Sequence, residues 1–178
     1  MKTTHSSAGG CRGSDKAAEV GLPAACLGVI MPCYNEMGTV DAITGRVLAE
    51  AVVAELIAVD DGSTDGTGQC LEAWARREAR VRFLRHEANR GKGAAIRTGL
   101  AAARAPVVII QDADLEYDPG DYARLVEPIQ RGETEVVYGS RFMTETAACA
   151  TSCRRAESIA AAAKLGFRGC DLLREGTG

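Results

Sequence analysis

The sequence predicts an α/β domain built on a mostly parallel central sheet. Three observations carry this reading: apolar runs of strand length recur along the chain, stretches of helical period alternate with them, and polar turn residues follow each run. At 178 residues, with 46% hydrophobic and 25% charged side chains, the chain can bury the core of one globular domain.

The elements follow in order. Leu27 to Met31 forms the first apolar run and closes at Pro32. A helix is expected over Thr39 to Val53, where Val40, Ile43, Val47, Leu48 and Val52 recur at helical spacing. Glu55 to Val59 is continuous enough in apolar character to be a strand covered on both faces. Asp60-Asp61-Gly62-Ser63-Thr64-Asp65 then turns the chain, with Thr64 or Asp65 placed to accept from the first amides of a helix that includes Leu71 and Trp74. Val81 to Leu84 is a third strand. Asn89-Arg90-Gly91-Lys92-Gly93 opens a helix over Ala94 to Arg104, whose small residues permit close packing on a sheet; Pro106 ends it, and Val107 to Gln111 forms the fourth strand. Asp118-Pro119 starts a helix that reaches Gln130, because proline suits a first turn. Glu135 to Tyr138 is the fifth strand, and alanine content predicts a further helix over Ala156 to Leu165.

Composition excludes several functions. A formal net charge of −3 and a pI near 5.5 argue against a nucleic-acid partner, which needs a basic face. No apolar run approaches the roughly 20 residues that span a bilayer. Residues 1–26 carry no apolar signal segment and are expected to be a flexible leader. Seven cysteines, an odd number, read as free thiols in a reducing cytoplasm; Cys149 and Cys153 lack the second pair that a zinc site requires. His5 and His86 are expected to be unpaired, which disfavours a histidine-based triad.

The chemistry concentrates at strand ends. Asp112 and Asp114 follow the fourth strand, and if extended geometry persists, alternation puts Glu116 on the same side. Converging carboxylates attract a cation, and hard oxygen ligands suit Mg²⁺ or Mn²⁺ bridging to substrate phosphates. An Asp-x-Asp pair also serves phosphotransferases with an aspartyl nucleophile, but those usually carry it after the first strand. Pro32-Cys33-Tyr34-Asn35-Glu36 offers Tyr34 for stacking on a base and Glu36 as an acceptor, or else is a polar loop with a capping asparagine. Asp60, Asp61, Gly62 and Ser63 supply acceptors for ribose or base, or else only a turn before a helix. Lys92 stands at a helix N-terminus with exposed amides nearby, which attracts phosphate, although the spacing of a P-loop is absent. Arg141 follows the fifth strand and is suited to a bidentate phosphate contact or to a carboxylate partner.

Taken in order, Val29 to Glu36, Val59 to Thr67, Asn89 to Gly93, Gln111 to Glu116 and Gly139 to Phe142 resemble family 2 glycosyltransferases, especially the polyprenyl (dolichol) phosphate mannosyl- and glucosyltransferases. The resemblance implies a GT-A fold, a nucleotide-sugar donor such as GDP-mannose or UDP-glucose, a divalent metal and inverting transfer to a polyprenyl phosphate at the cytoplasmic membrane face. It places Pro32, Tyr34, Glu36 and Asp61 around the nucleoside, Asp112, Asp114 and Glu116 at the metal and diphosphate, and Arg141 at the acceptor phosphate. A phosphate acceptor is already anionic, so the reaction needs positioning and charge stabilisation rather than a strong base.

After Phe142 the composition changes abruptly. Residues 27–142 are thus expected to form the nucleotide-sugar domain and 143–178 an atypical tail, partly disordered or altered by truncation or a shift of reading frame; an intact frame on resequencing the gene would remove that last explanation. The alternative function is a non-catalytic nucleotide-sugar-binding fragment that works with a membrane partner chain.

Overall fold

The structure, a computed structural model, describes residues 21–139 and 160–164. Its elements run β1 (Leu27–Cys33), α1 (Val40–Ala49), β2 (Val53–Asp60), α2 (Thr67–Arg77), β3 (Val81–Arg85), α3 (Lys92–Ala102), β4 (Val107–Ile110), a 3₁₀ turn (Pro119–Asp121) leading into α4 (Tyr122–Gln130), β5 (Val136–Gly139) and β6 (Ala160–Lys164). One sheet holds the strands in the order β3-β2-β1-β4-β6-β5. The pairs among β1 to β4 are parallel, whereas β6 runs antiparallel between β4 and β5.

Side-chain alternation divides β1, β2 and β4 between two apolar layers. Leu27, Val29 and Met31 of β1, Leu56 and Ala58 of β2, and Val107 and Ile109 of β4 pack with α1, α2 and α4 through Val40, Ile43, Val47, Leu71, Tyr122, Val126 and Ile129. Ile30, Ile57, Val59 and Val108 face the other way, against Ala95 and Leu100 of α3. Covering both faces explains why these strands read as unbroken apolar runs. A register shift between Leu27 and Gly28 gives β2 one extra residue, so Val53 joins the same layer as Leu56 despite their odd spacing. The small residues of α3 matter as expected: a Cβ on Gly99 would collide with the Ile30 side chain.

Two elements differ from the sequence expectation. The helix predicted to reach Val53 stops at Ala49, with Glu50 already extended at φ −76°, ψ 123°. The Val52 carbonyl instead accepts the amides of Cys26 and Leu27, and β-branched Val53 opens β2. Cys26, assigned to the leader, is fully buried. The second correction is the alanine-rich segment predicted as helix over Ala156 to Leu165, whose residues Ala160–Lys164 form β6. Alanine's intrinsic helix preference amounts to less than about 1 kcal/mol per residue. Bridging β4 and β5 satisfies two rows of backbone donors and acceptors at once, and that context prevails.

Candidate functional site

The strand order reverses beside β1: β2 and β3 lie on one side of it and β4 on the other. Loops leaving the carboxyl ends of strands separate at such a point and leave a crevice. Here that crevice is a cleft of about 250 Å³ lined by Pro32, Cys33, Tyr34 and Glu36 after β1, Asp61 after β2, Asn89, Lys92 and Ala95 before and within α3, and Asp112, Ala113 and Asp114 after β4.

Asp61 organises three of these loops. It is 2% exposed, and its Oδ1 lies 2.6 Å from His86 Nδ1. The amides of Arg90 and Gly91 donate to its carboxylate at 2.8–3.1 Å, fixing the chain just before α3. Burial alone would raise this carboxyl; the hydrogen bonds from His86, Arg90 and Gly91 together hold it below the usual carboxylate range. Gly62 lets the loops meet, because at φ +77° a Cβ there would lie 2.8–3.0 Å from the Ala88–Asn89 backbone.

His86 corrects the expectation of an unpaired histidine. Its ring is buried between Asp61 and Thr98, whose Oγ1 lies 2.9 Å from Nε2. The pairing follows from strand register, which local sequence does not show: Asp60 pairs with Arg85, so the next residues on each chain meet.

The remaining predicted residues divide. Asp60 is fully buried but does not line the cleft. Its Oδ1 accepts the Ser63 amide at 3.0 Å, and its Oδ2, 3.2 Å from Arg85 Nε, has no hydrogen-bond partner among the described residues. A Cβ on Gly68 would lie 2.5 Å from that oxygen, so α2 backs directly onto Asp60. Ser63 Oγ accepts the Asn35 amide, and Asn35 Oδ1 accepts the Thr64 amide, so Asn35 and Ser63 join the β1 and β2 loops outside the cleft. Asp65 accepts the Thr67 amide as expected, although Gly66 is the residue at the helix cap. Tyr34 is half exposed at the cleft rim, and Glu36 accepts from Thr39 Oγ1 at 3.2 Å. Cys33 lies in the cleft wall, but burial and then the charges of Asp60, Glu36 and Asp112 push its thiol far up, leaving no thiolate nucleophile. Cys26, Cys33 and Cys70 are all free thiols.

Asp112 and Lys92 face each other, with Nζ 2.8 Å from both carboxylate oxygens. Asp114 stands beside them, its Oδ1 accepting the Glu116 amide at 3.1 Å. Glu116 departs from the expected alternation: β4 ends at Ile110, the chain then turns at Ala113–Asp114, and Leu115 adopts φ +65°. Among the described residues no group of three His, Cys, Asp or Glu side chains is arranged to hold a metal. Asp112 and Asp114 nevertheless fit a Mg²⁺ or Mn²⁺ ion, which takes one or two protein carboxylates and completes its shell from substrate phosphates and water. Arg141 lies outside the described residues.

Sequence reasoning gave no role to the side chain of Gln111, which lies behind the cleft rather than in its lining. It is 1% exposed, donates from Nε2 to the carbonyls of Asp112 and Tyr117 at 3.0 and 3.4 Å, and accepts the Tyr122 hydroxyl at 2.6 Å.

A doubly covered α/β sheet with a carboxylate- and lysine-lined cleft at its switch point is the arrangement in which open α/β sheets bind their ligands. The chain belongs to glycosyl transferase family 2, whose family model matches residues 28–148. Dodecaprenyl-phosphate galacturonate synthase of Rhizobium johnstonii is 34% identical over 120 residues, covering 65% of this chain and 36% of that protein. Polyprenol monophosphomannose synthase of Mycolicibacterium smegmatis is 33% identical over 119 residues, covering 65% of this chain and 44% of that protein. Glucosyl-3-phosphoglycerate synthase from Mycobacterium tuberculosis, solved with Mn²⁺, UDP and phosphoglyceric acid, superposes with a TM-score of 0.53 at 28% identity, covering 63% of this chain and 42% of that one. The matched part therefore spans less than half the length of these relatives, and the fold is of the GT-A kind.

Proposed function

We propose that this chain carries the donor-binding half of a metal-dependent, inverting hexosyltransferase that uses a nucleotide sugar, GDP-mannose or UDP-glucose, and a polyprenyl phosphate acceptor. The observation that carries the reading is the meeting of Tyr34, Glu36, Asp61, Lys92, Asp112 and Asp114 in one cleft at the switch point. Names of the relatives support the acceptor class, and the Mn²⁺ and UDP of the solved neighbour support the donor and metal.

In this reading Tyr34 packs against the nucleobase, while Pro32, Glu36 and Asp61 shape the nucleoside end of the cleft. Lys92 neutralises diphosphate charge, and Asp112 and Asp114 hold a Mg²⁺ or Mn²⁺ ion. When bound, that ion supplies Lewis-acid stabilisation of the departing nucleoside diphosphate. An acceptor phosphate oxygen forms the bond to the anomeric carbon as the bond to the diphosphate breaks, with inversion at that carbon. Arg141, after β5, is the proposed holder of the acceptor phosphate. The polyprenyl-phosphate names of the relatives favour a peripheral position at the membrane surface where such an acceptor resides.

A second reading is donor binding without turnover, a membrane partner chain completing the acceptor side; the residues that meet in the cleft are those read as the donor site. One assay separates the two: transfer of labelled hexose to polyprenyl phosphate in detergent with Mn²⁺. Lipid-linked product that disappears on Asp114→Ala supports the transferase. Donor binding without product supports the second reading.

A further inference from the structure

The loop that carries Asp112 and Asp114 is closed at its neck by one buried side chain. Gln111 Nε2 grips the carbonyl of Asp112, where the loop begins, and that of Tyr117, where it ends. Two carbonyl partners require the NH₂ end of the amide, which turns its oxygen toward Tyr122 and makes the tyrosine hydroxyl the donor. Tyr122 is 2% exposed at the start of α4. Burial, with the Glu50 and Asp118 charges adding to it, pushes the Tyr122 phenol up, so it remains a donor throughout the neutral range.

Inside that neck the chain is under constraint. Leu115 holds φ +65°, a conformation uncommon for a bulky residue, and Asp114 turns back to accept the Glu116 amide. Such a turn persists only where its surroundings hold it. Outside the neck, Arg46 reaches Asp118 at 2.8 Å, but both partners are exposed and contribute little. Ala113 is anchored in the core and Lys92 pairs with Asp112, while Gln111 and Tyr122 supply the buried hydrogen bonds that tie the two ends of the loop together.

We propose that Gln111 and Tyr122 are positioning residues that set the orientation of Asp112 and Asp114 toward the metal-bound donor diphosphate, rather than only filling the core. The proposal rests on the donor-site reading above. It assigns these two residues no contact with the substrate; they act through the loop. Removing the phenolic donor leaves the Gln111 oxygen buried without a partner, so the amide loses one of the three hydrogen bonds that fix it and the neck loosens.

Tyr122→Phe in the full chain is the mildest test, with Gln111→Leu as the second variant. Three readings are taken on each: the thermal melt, hydrogen exchange of the Ala113–Tyr117 amides, and calorimetric binding of UDP and GDP with and without Mn²⁺. The expected result is a folded protein with faster exchange across 113–117 and Mn²⁺-dependent nucleotide affinity weakened about tenfold, the scale of one lost buried hydrogen bond. Metal-independent nucleotide binding should stay within about twofold, since the packing at Tyr34 is untouched. Faster exchange with unchanged Mn²⁺-dependent affinity would overturn the proposal and leave the pair purely structural. Unchanged exchange in both variants would overturn it as well. Failure of the unsubstituted chain to bind either nucleotide with Mn²⁺ would instead overturn the donor-site reading, and with it this one.

Discussion

Two buried carboxylates stand at opposite ends of β2, and they are used differently. Glu55, near the amino end, accepts the amides of Arg104 and Ala105 at 2.5 and 2.7 Å and lies 3.5 Å from Arg82 Nη1. Asp61, just past the carboxyl end, accepts the amides of Arg90 and Gly91 and pairs with His86. Each acid ties the chain adjoining one end of α3 to the sheet with the same kind of bonds. Only Asp61 opens onto the cleft. The contrast shows that burial and amide bonding mark a carboxylate as a fastener, and that of the fasteners on β2 only the one past its carboxyl end that faces the switch point opens onto the cleft, since Asp60, one residue earlier, turns to Arg85.

The largest effect that sharpens this contrast is expected at Asp114, which is exposed and fastens little. Asp114→Ala should reduce Mn²⁺-dependent donor binding by about a hundredfold or more, since loss of an outer partner of a metal site alone costs about 10–100-fold. Its melting temperature should hardly move, and calorimetry with a parallel melt reads both. Next is Glu55→Ala, which leaves two amides and the Arg82 guanidinium without their acceptor. Urea unfolding should show a loss of about 2–3 kcal/mol, while donor affinity of the folded protein stays unchanged. A shift in affinity there would break the comparison.

Asp61→Asn should lose less stability at pH 7, about 1–2 kcal/mol, and should also weaken donor binding. Its pH dependence has a fixed sign. The Asp61 carboxyl is lowered in the folded protein, so its contribution is complete above the ordinary value of about 3.9 and is lost as pH falls through the lower folded value. The gap between parent and variant in urea midpoints should therefore close only at strongly acid pH. The smallest effect is expected for Arg46→Ala, which breaks the exposed pair with Asp118; less than about 1 kcal/mol should be lost, and less still at high salt.

Much of this was legible in the sequence for local reasons. The strands β1 to β4 announce themselves because both faces of the sheet are covered, and the cleft residues Tyr34, Glu36, Asp61, Asp112 and Asp114 each sit within a few residues of a strand end, with Lys92 at the start of α3. What stayed hidden depends on long-range pairing. His86 meets Asp61 through the register of β2 and β3, 25 residues apart in the chain. Alanines 160–163 become a strand only because β4 and β5 flank them. Glu116 parts from Asp112 and Asp114 because β4 ends at Ile110 and the chain turns at Ala113–Asp114 instead of staying extended, and Asp60 turns to Arg85 rather than to the cleft. Arg141 and most of 143–178 lie outside the described residues.

The most direct test is calorimetric titration of the purified chain with GDP-mannose, UDP-glucose and UDP-N-acetylglucosamine, each with and without Mn²⁺. Binding of one donor that strengthens with Mn²⁺ and fails in Asp114→Ala is the predicted result, and it also names the nucleotide. Absence of binding to all three by a protein that melts cooperatively would contradict the assignment of this cleft as a nucleotide-sugar site.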